Sequence, residues 1–454
     1  MRTIVIGVNH AGTSAIRTLL SQNPSADVVA FDRNDNISFL GCGIALTVGG
    51  VVKNTQDLFY SNPAELTKMG AKIFMKHDVK KIDRVSKTVY VEDLSNNKLT
   101  AWKYDKLIYA AGSWPIDRHV ENQDLKNVEI CKIYQHALKL IEKANDPTIN
   151  TVAVIGAGYI GIELVEAYHQ KGKKVVLVDF APRVLANYFD KEFSDVLENK
   201  LVSSGVSVYL GQGVTKYVGD SNGKVTGLVT DKGNEIQADL VIQCLGFAPN
   251  HSLLPDLEKV QNGAIKVNEK VQTSDPDIYA IGDCAAIYDA ATKQYRNIAL
   301  ATNAVKSGIV AASQINGAEY VKLKSIVGTN ALCVFGHKFA STGVSEEAAK
   351  RFGLNVKSAF YEDNDRPEWM NTVEKVGVKV VYEEDTLRLV GAQILSYGNA
   401  NHTEWIFSLG LAIQQGLSLL DVAFTDVYFL PHLNKPFNFV LSAILKAIGM
   451  KYIA

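Results

Sequence analysis

The chain predicts an α/β fold of two parallel-sheet units followed by a smaller α+β unit. Three observations carry that expectation. Two stretches, residues 2–32 and 151–179, each run from an apolar strand through a glycine-bearing turn into a helix and out along a second strand that ends in aspartate. After residue 323, strand-like runs (ALCVFG, KVGVKVVYE, LRLVGAQIL) alternate with helical ones (SEEAAKRFG, HTEWIFSLGLAIQQG). A length of 454 residues, 47% of them hydrophobic and 21% charged, suits two or three domains with sizeable cores.

The first stretch reads RTIVIGVNHAGTSAIRTLLSQNPSADVVAFD. The strand TIVIG enters the turn Gly7-Val8-Asn9-His10-Ala11-Gly12, and a helix follows with Ile16, Leu19 and Leu20 on one face. The strand DVVAF ends in Asp32, 20 positions beyond Gly12. Gly7 permits the tight turn, Gly12 lets helix and strand approach, and the helix N-terminus offers backbone N–H groups to a pyrophosphate. Asp32 is placed to accept hydrogen bonds from ribose hydroxyls. This is the layout of a Rossmann-like, dinucleotide-binding unit, with Gly7, Asn9, Ala11, Gly12 and Asp32 as its candidate ligands. Asn9 stands where the middle glycine belongs.

The second stretch, TVAVIGAGYIGIELVEAYHQKGKKVVLVD, fills all three glycine positions with Gly156, Gly158 and Gly161. Tyr159 and Ile160 complete the turn, and Asp179 ends the next strand, 18 positions past Gly161. The Asp179 carboxylate would repel a 2′-phosphate, which favours NADH over NADPH.

Three more phrases end strands in small residues that let backbone approach a ligand: YDKLIYAAGSWP with Ala111 and Gly112, ADLVIQCLGFAPN with Gly246, and PDIYAIGDCAAI with Gly282 and Asp283. Singly, such turns are common in α/β proteins. Their order along one chain supports a pairing of FAD with NAD.

The charge balance, 47 basic against 48 acidic residues, and the lack of a basic run argue against a nucleic-acid partner. The start MRTIVIGV carries no signal pattern, and no stretch reaches the roughly 18 apolar residues of a membrane span. Residues 405–420, WIFSLGLAIQQGLSLL, come nearest and read as a buried helix. A soluble, cytoplasmic protein is expected. Five scattered cysteines without CxxC spacing argue against a disulfide framework or structural zinc. Cys131, Cys244, Cys284 and Cys333 are expected to be buried and inert. Cys42, between two glycines in SFLGCGIALT, is a packed thiol, half of a disulfide or a lone redox centre; a helix starting after Gly43 would lower its pKa.

The order GVNHAG, SFLGCG, AAGSWP, GAGYIG, CLGFAPN, AIGDCA resembles the pyridine nucleotide–disulfide oxidoreductases over essentially the whole chain. It is most similar to their single-cysteine branch of NADH oxidases, NADH peroxidases and coenzyme A disulfide reductases. In the parent family two cysteines are spaced CxxxxC; here Thr47 holds the second position, which excludes the usual intramolecular disulfide. The resemblance implies that Cys42 cycles between thiolate and sulfenic acid beside the flavin. It implies that His10 stands close to Cys42 as a proton donor to oxygen or peroxide. A helix N-terminus disfavours the imidazolium, so His10 would be a modest acid. By the same resemblance Tyr159 covers the flavin where nicotinamide docks, and Glu163 contacts that region. Tyr188 packs on the NAD adenine, and Asp283 binds the ribityl chain. Ala299, Ala301 and Thr302 lie against the flavin.

The domains implied are an FAD-binding domain of residues 1–115 and 246–322, an inserted NAD-binding domain of 116–245, and an α+β dimerisation domain of 323–454. The last would form a homodimer, with DVYFLPHLNKPFNFV (426–440) bordering the partner's site through Phe429 and His432; plain core packing is the alternative. The stretch SIVGTNALCVFG (325–336) lacks the glycine-rich serine phrase common in relatives. The activity expected is an FAD-dependent NADH oxidase taking NADH and O2 to water, by way of a flavin peroxide and a Cys42 sulfenic acid. An NADH peroxidase is the alternative. A coenzyme A disulfide reductase fits less well, because such relatives usually lack the turn histidine. A flavin-bound sensor without turnover is a further possibility of a different class.

Overall fold

The computed structural model describes residues 1–450. Its first sheet has five parallel strands in the order Ile278–Ala280, Lys106–Tyr109, Arg2–Ile6, Asp27–Asp32, Lys72–Met75. All but the edge strand Lys72–Met75, which has no buried residue, are apolar and almost wholly buried, as parallel strands covered on both faces must be. The helix His10–Gln22 lies on this sheet and against the helix Ala301–Ile315. Contact between the helices is close because of Gly308: a Cβ there would sit 2.4 Å from the Ala11 carbonyl oxygen.

A second parallel sheet runs Ser207–Leu210, Lys174–Asp179, Thr151–Ile155, Leu240–Gln243, Val128–Ile130. The helix Tyr159–Gln170 packs against the short helix Ile44–Gly49 of the first unit. Two three-stranded antiparallel sheets also form, His77–Asp83 with Thr88–Asp93 and Lys98–Lys103, and Val214–Gly219 with Val225–Thr230 and Glu235–Gln237. The sequence reading has no place for them.

The C-terminal sheet is antiparallel: Asn330–Val334, His337–Gly343, Leu389–Ser396, Lys375–Glu383, Val356–Asn364. The α+β expectation holds, with two strands more than the sequence suggests, His337–Gly343 and Val356–Asn364. Residues 405–420 are not one buried helix. The helix Trp405–Gln415 stops at Gly416, whose φ of 69° is left-handed, and a second helix spans Leu419–Ala423. Ile406, Leu409, Ala412 and Ile413 face the core, while Phe407 is 68% and Leu411 58% exposed. No helix among the described residues is long and apolar enough to cross a membrane.

The C-terminal sheet is keyed to the second unit by a buried lysine. Lys379 Nζ lies 3.4 Å from Asp190, 2.9 Å from Glu192 and 3.2 Å from Glu346. Gln393 adds hydrogen bonds to the Asp190 backbone N–H and carboxylate. A buried ammonium is tolerated only with such partners, so the cluster fixes how the two units meet.

Candidate active site

The first turn is tight for the reason its glycines suggest. A Cβ on Gly12 would lie 1.9 Å from the Gly7 carbonyl oxygen, and one on Gly7, at φ 89°, 2.4 Å from the Ala110 oxygen. The first turn of the following helix, which begins with His10 and Ala11 after Asn9, holds no acidic residue and has no side-chain cap, so its unpaired N–H groups meet no competing carboxylate. Asp32 is only 6% exposed. Its Oδ2 accepts the Val8 N–H at 2.7 Å, and its Oδ1 accepts the Asn34 backbone and side-chain N–H groups. Burial pushes this carboxyl up, against those donors. Asp32 therefore first ties its own turn to the sheet, a role the ribose expectation leaves out.

The second turn repeats the design. Asp179 accepts the Ala157 N–H and, at 2.6 Å, the Ala181 N–H. A Cβ on Gly161 would lie 1.8 Å from the Gly156 oxygen, while one on Gly158 or on Gly112 would meet nothing within 4 Å. The turns are thus closed towards the sheet and open at Gly158 and Gly112, which fits two dinucleotides lying over them.

Cys42 is exposed, on a single 3₁₀ turn, Gly41–Gly43. The six-residue helix Ile44–Gly49 starts only after it, and Thr47 turns its hydroxyl onto the Gly43 carbonyl at 2.9 Å. The lowered thiol pKa expected from a helix start is not found. Partial burial pushes the Cys42 thiol up, and the Glu163 carboxylate pushes it further. Ser38, held at a left-handed φ of 57°, donates its N–H to the Val8 carbonyl at 3.2 Å. The cysteine segment is thereby joined to the histidine turn.

His10 begins the first helix and packs its ring parallel to that of Tyr60, 4° between planes and 5.6 Å between centroids. Its Nδ1 is 3.0 Å from the Tyr60 hydroxyl. Burial holds its pKa below the usual histidine value; the Asp283 carboxylate opposes this and the Lys132 ammonium adds to it. The neutral imidazole expected from the sequence is what results, though burial is the main cause. Tyr60, like Lys132, carries no sequence signal, because both lie in connecting segments without periodicity.

Asp283 Oδ2 accepts the Ser113 hydroxyl at 2.7 Å and lies 3.5 Å from Lys132 Nζ, which also donates to Ser113 at 2.9 Å and covers the Phe247 ring. Gly282 donates its N–H to Ser307, and a Cβ on it would lie 3.0 Å from that of Ala11. Asn250 ties the Ala111 and Gly112 carbonyls, and the Gly246 carbonyl accepts the Ile116 N–H. Ala299, Ala301 and Thr302, at the exposed start of the helix Ala301–Ile315, remain open.

On the second unit, Tyr159 and Ile160 are half-buried. Tyr188 rests on Tyr159, with ring centroids 4.3 Å apart. The aromatic the sequence assigns to adenine thus packs on the tyrosine assigned to the nicotinamide dock. Glu163, one helical turn beyond Tyr159, has its carboxyl pushed up to about 7 by burial and by Glu166. In the C-terminal segment Phe429 and His432 are exposed, so core packing does not account for them. Cys131 and Cys284 are buried as expected, Cys244 partly so; Cys333 is exposed on the strand Asn330–Val334, contrary to expectation.

The pyridine nucleotide-disulphide oxidoreductase family matches residues 1–308, and the dimerisation domain of that family matches residues 329–438. An NADH oxidase of Mycoplasma genitalium is 51% identical over 99% of this chain and 98% of its own length. An NADH oxidase of Enterococcus faecalis is 46% identical over 97% of this chain and 98% of its own. The water-forming NADH oxidase of Lactobacillus brevis, solved with NADH bound, superposes with a TM-score of 0.95 at 40% identity, covering 99% of this chain and 98% of that one. With its two aspartate-tied glycine turns and the antiparallel sheet that follows them, the chain belongs to the pyridine nucleotide-disulphide oxidoreductase family.

Proposed function

We propose that this chain is an FAD-dependent NADH oxidase that reduces O2 to water, with Cys42 completing the four-electron reduction. The observation that carries the role of Cys42 is its position: a lone exposed thiol, Thr47 where a second cysteine would stand, on a segment hydrogen-bonded to the His10 turn. Bound FAD supplies hydride acceptance from NADH and electron delivery to O2. Gly7, Gly12 and the start of the first helix hold the FAD pyrophosphate, with Ala111, Gly112, Gly282, Asp283, Ala299, Ala301 and Thr302 along the rest of the molecule. Gly156, Gly158, Ile160 and Gly161 hold NADH, and the Asp179 carboxylate disfavours a 2′-phosphate. Tyr159 moves aside as nicotinamide docks, and Tyr188 packs on the NAD adenine.

Peroxide released near Cys42 is attacked by its sulfur. The S–O bond forms, the O–O bond breaks, and one water leaves with a sulfenic acid on Cys42. A second NADH returns two electrons, and the sulfenic oxygen leaves as water. Lys132 and Ser113 orient Asp283. The division into residues 1–115 with 246–322, 116–245 and 323–454 is supported by the strand Ile278–Ala280, which pairs with Lys106–Tyr109 in the first sheet. The exposed apolar face of the C-terminal unit supports a homodimer, with Phe429 and His432 at the partner's site. A cytoplasmic location fits a chain fed by NADH.

The test is the ratio of NADH to O2 consumed in an oxygen electrode. The wild type is expected near two, unaffected by catalase. Cys42→Ser is expected near one, with oxygen returned by catalase. A variant that still consumes NADH and O2 near two to one removes Cys42 from the reaction.

A further inference from the structure

Asp190 turns its carboxylate away from the helix it begins. It stands at the N-cap of the helix Lys191–Ser203, with extended backbone at φ −79° and ψ 171°. An aspartate there ordinarily accepts an N–H from the first turn of its own helix. Asp190 makes no such bond. Its Oδ2 instead accepts the Gln393 side-chain N–H at 2.6 Å and the Glu346 backbone N–H at 3.0 Å, with Lys379 Nζ 3.4 Å away. Its backbone N–H goes to Gln393 Oε1 at 2.8 Å. Both ends of one amide are thus committed to a single residue of another unit. Gln393 is 1% and Lys379 3% exposed, each between apolar neighbours inside a strand of the C-terminal sheet. The two are register partners on adjacent strands, so they project from one face of that sheet. Apolar side chains would serve packing alone at both places.

Tyr188 lies two residues before Asp190, on a loop pinned at both ends. At its start the Leu185 N–H reaches the carbonyl of Ala157, in the second glycine turn, at 2.8 Å. The Tyr188 and Phe189 N–H groups fold back onto the Leu185 carbonyl at 2.9 and 3.0 Å. At its end Gln393 holds Asp190. Phe189, between them, is fully buried, with its ring edge-on and 5.8 Å from that of Phe339 on the C-terminal sheet. Its neighbour Tyr188 is 36% exposed and rests on the Tyr159 ring. We propose that Gln393, supported by Lys379, is a positioning residue for NADH: from the dimerisation domain it fixes Asp190 and so holds the Tyr188 ring where the adenine lies.

The proposal rests on the reading of Tyr188 as the residue that packs on adenine. Gln393 acts on it only through Asp190. A ring held in place before NADH arrives does not have to be ordered on binding. A loosened loop holds the competent placement only part of the time, and the apparent affinity falls by that fraction. The nicotinamide end is governed by a different element, the helix Tyr159–Gln170. Other ties keep the units together when Gln393 is changed. Arg183 donates two hydrogen bonds of 2.8 Å to Glu347, and Lys379 retains Glu192 and Glu346. The loss of Gln393 therefore frees Tyr188 without parting the units, and it bears on the adenylate half of NADH alone.

The experiment is anaerobic reduction of the FAD-loaded enzyme, followed as bleaching of the flavin. The reductants are NADH and reduced nicotinamide mononucleotide, which lacks the adenylate half. Gln393→Met keeps the volume of the side chain and removes both bonds to Asp190. It is expected to raise the apparent Kd for NADH by about 10-fold, as when the competent placement falls to about a tenth of the population. The limiting rate of bleaching and the second-order rate with the mononucleotide are expected to stay at wild-type values. Calorimetric titration with ADP-ribose is expected to show the same weakening without any turnover. Gln393→Asn keeps the amide but is one methylene shorter; it is expected to act in the same direction and replaces Gln393→Met if that variant loses its FAD. An unchanged Kd for NADH in the folded variant, or an equal loss with the mononucleotide, overturns the proposal. Tyr188→Ala tests the reading beneath it and is expected to weaken NADH and ADP-ribose alike. If Tyr188→Ala binds ADP-ribose as the wild type does, the adenine reading fails and takes the proposal with it. If Tyr188→Ala weakens binding and Gln393→Met does not, the proposal alone fails.

Discussion

Glu163 sits where a single proton matters most. Its carboxyl is pushed up to about 7, and its negative form in turn pushes the Cys42 thiol up. Below that pH Glu163 is neutral and the thiol is released from one source of repulsion; above it the anion holds the thiol proton on. The rise of Cys42 alkylation with pH is therefore expected to be damped above about 7 in the wild type. In Glu163→Gln the damping is expected to vanish and alkylation above neutral pH to quicken. An unchanged profile would separate the two groups. The same shift has a stability sign. A folded-state pKa above the ordinary 4.5 means that ionisation burdens the folded form as pH climbs from there to about 7. Glu163→Gln is thus expected to raise Tm at about pH 8 and to leave it unchanged at about pH 4. Residues of this kind are only partly legible in a sequence. Cys42 and His10 stand out because they interrupt glycine turns. The upward shift of the thiol, the Tyr60 contact and the stacking of Tyr188 on Tyr159 depend on segments far apart in the chain, and no local pattern announces them.

At the scale of elements, the two turns make opposite demands on their glycines. Gly161 has no room, since a Cβ would fall 1.8 Å from the Gly156 oxygen, whereas Gly158 faces open space. Gly161→Ala is expected to force helix from strand, lowering Tm and raising the KM for NADH together. Gly158→Ala is expected to fold with wild-type Tm and to raise the KM alone, because its methyl group points where a dinucleotide lies. Equal Tm losses in both would place the two glycines in the same structural role. The strand–turn–helix units were readable because periodicity, glycine spacing and terminal aspartate all agree there. The two small antiparallel sheets were not. Their strands, such as Lys98–Lys103, alternate exposed and half-buried residues and are short, so their pairing is decided by neighbours rather than by their own sequence.

At the scale of the molecule, apolar surface gathers on one side of the C-terminal unit. Phe407 and Leu411 project from one face of the helix Trp405–Gln415, Phe424 is 84% exposed, and Tyr428 and Phe429 follow. Surface of this kind marks an interface between chains. The double variant Phe407→Asp/Phe424→Asp is expected to sediment as a monomer while keeping its fold by circular dichroism. A persisting dimer would place the interface elsewhere. The buried Lys379 cluster makes a complementary prediction. Lys379→Met leaves Asp190 facing Glu346 without a cation and is expected to cost about 3–5 kcal/mol, measured by denaturant unfolding.

The first sheet also sets an order of events during synthesis. Its edge strand Ile278–Ala280 leaves the ribosome only after the whole of the second sheet has been made. Until then Lys106–Tyr109, an apolar central strand in the finished protein, is an open parallel edge. The nascent chain thus passes through a stage in which its later-made unit can close before its earlier-made one. Ribosome-bound chains halted near residue 250 should show protease resistance across the second sheet and cleavage in the first, and that sensitivity should disappear once the chain extends well past residue 315.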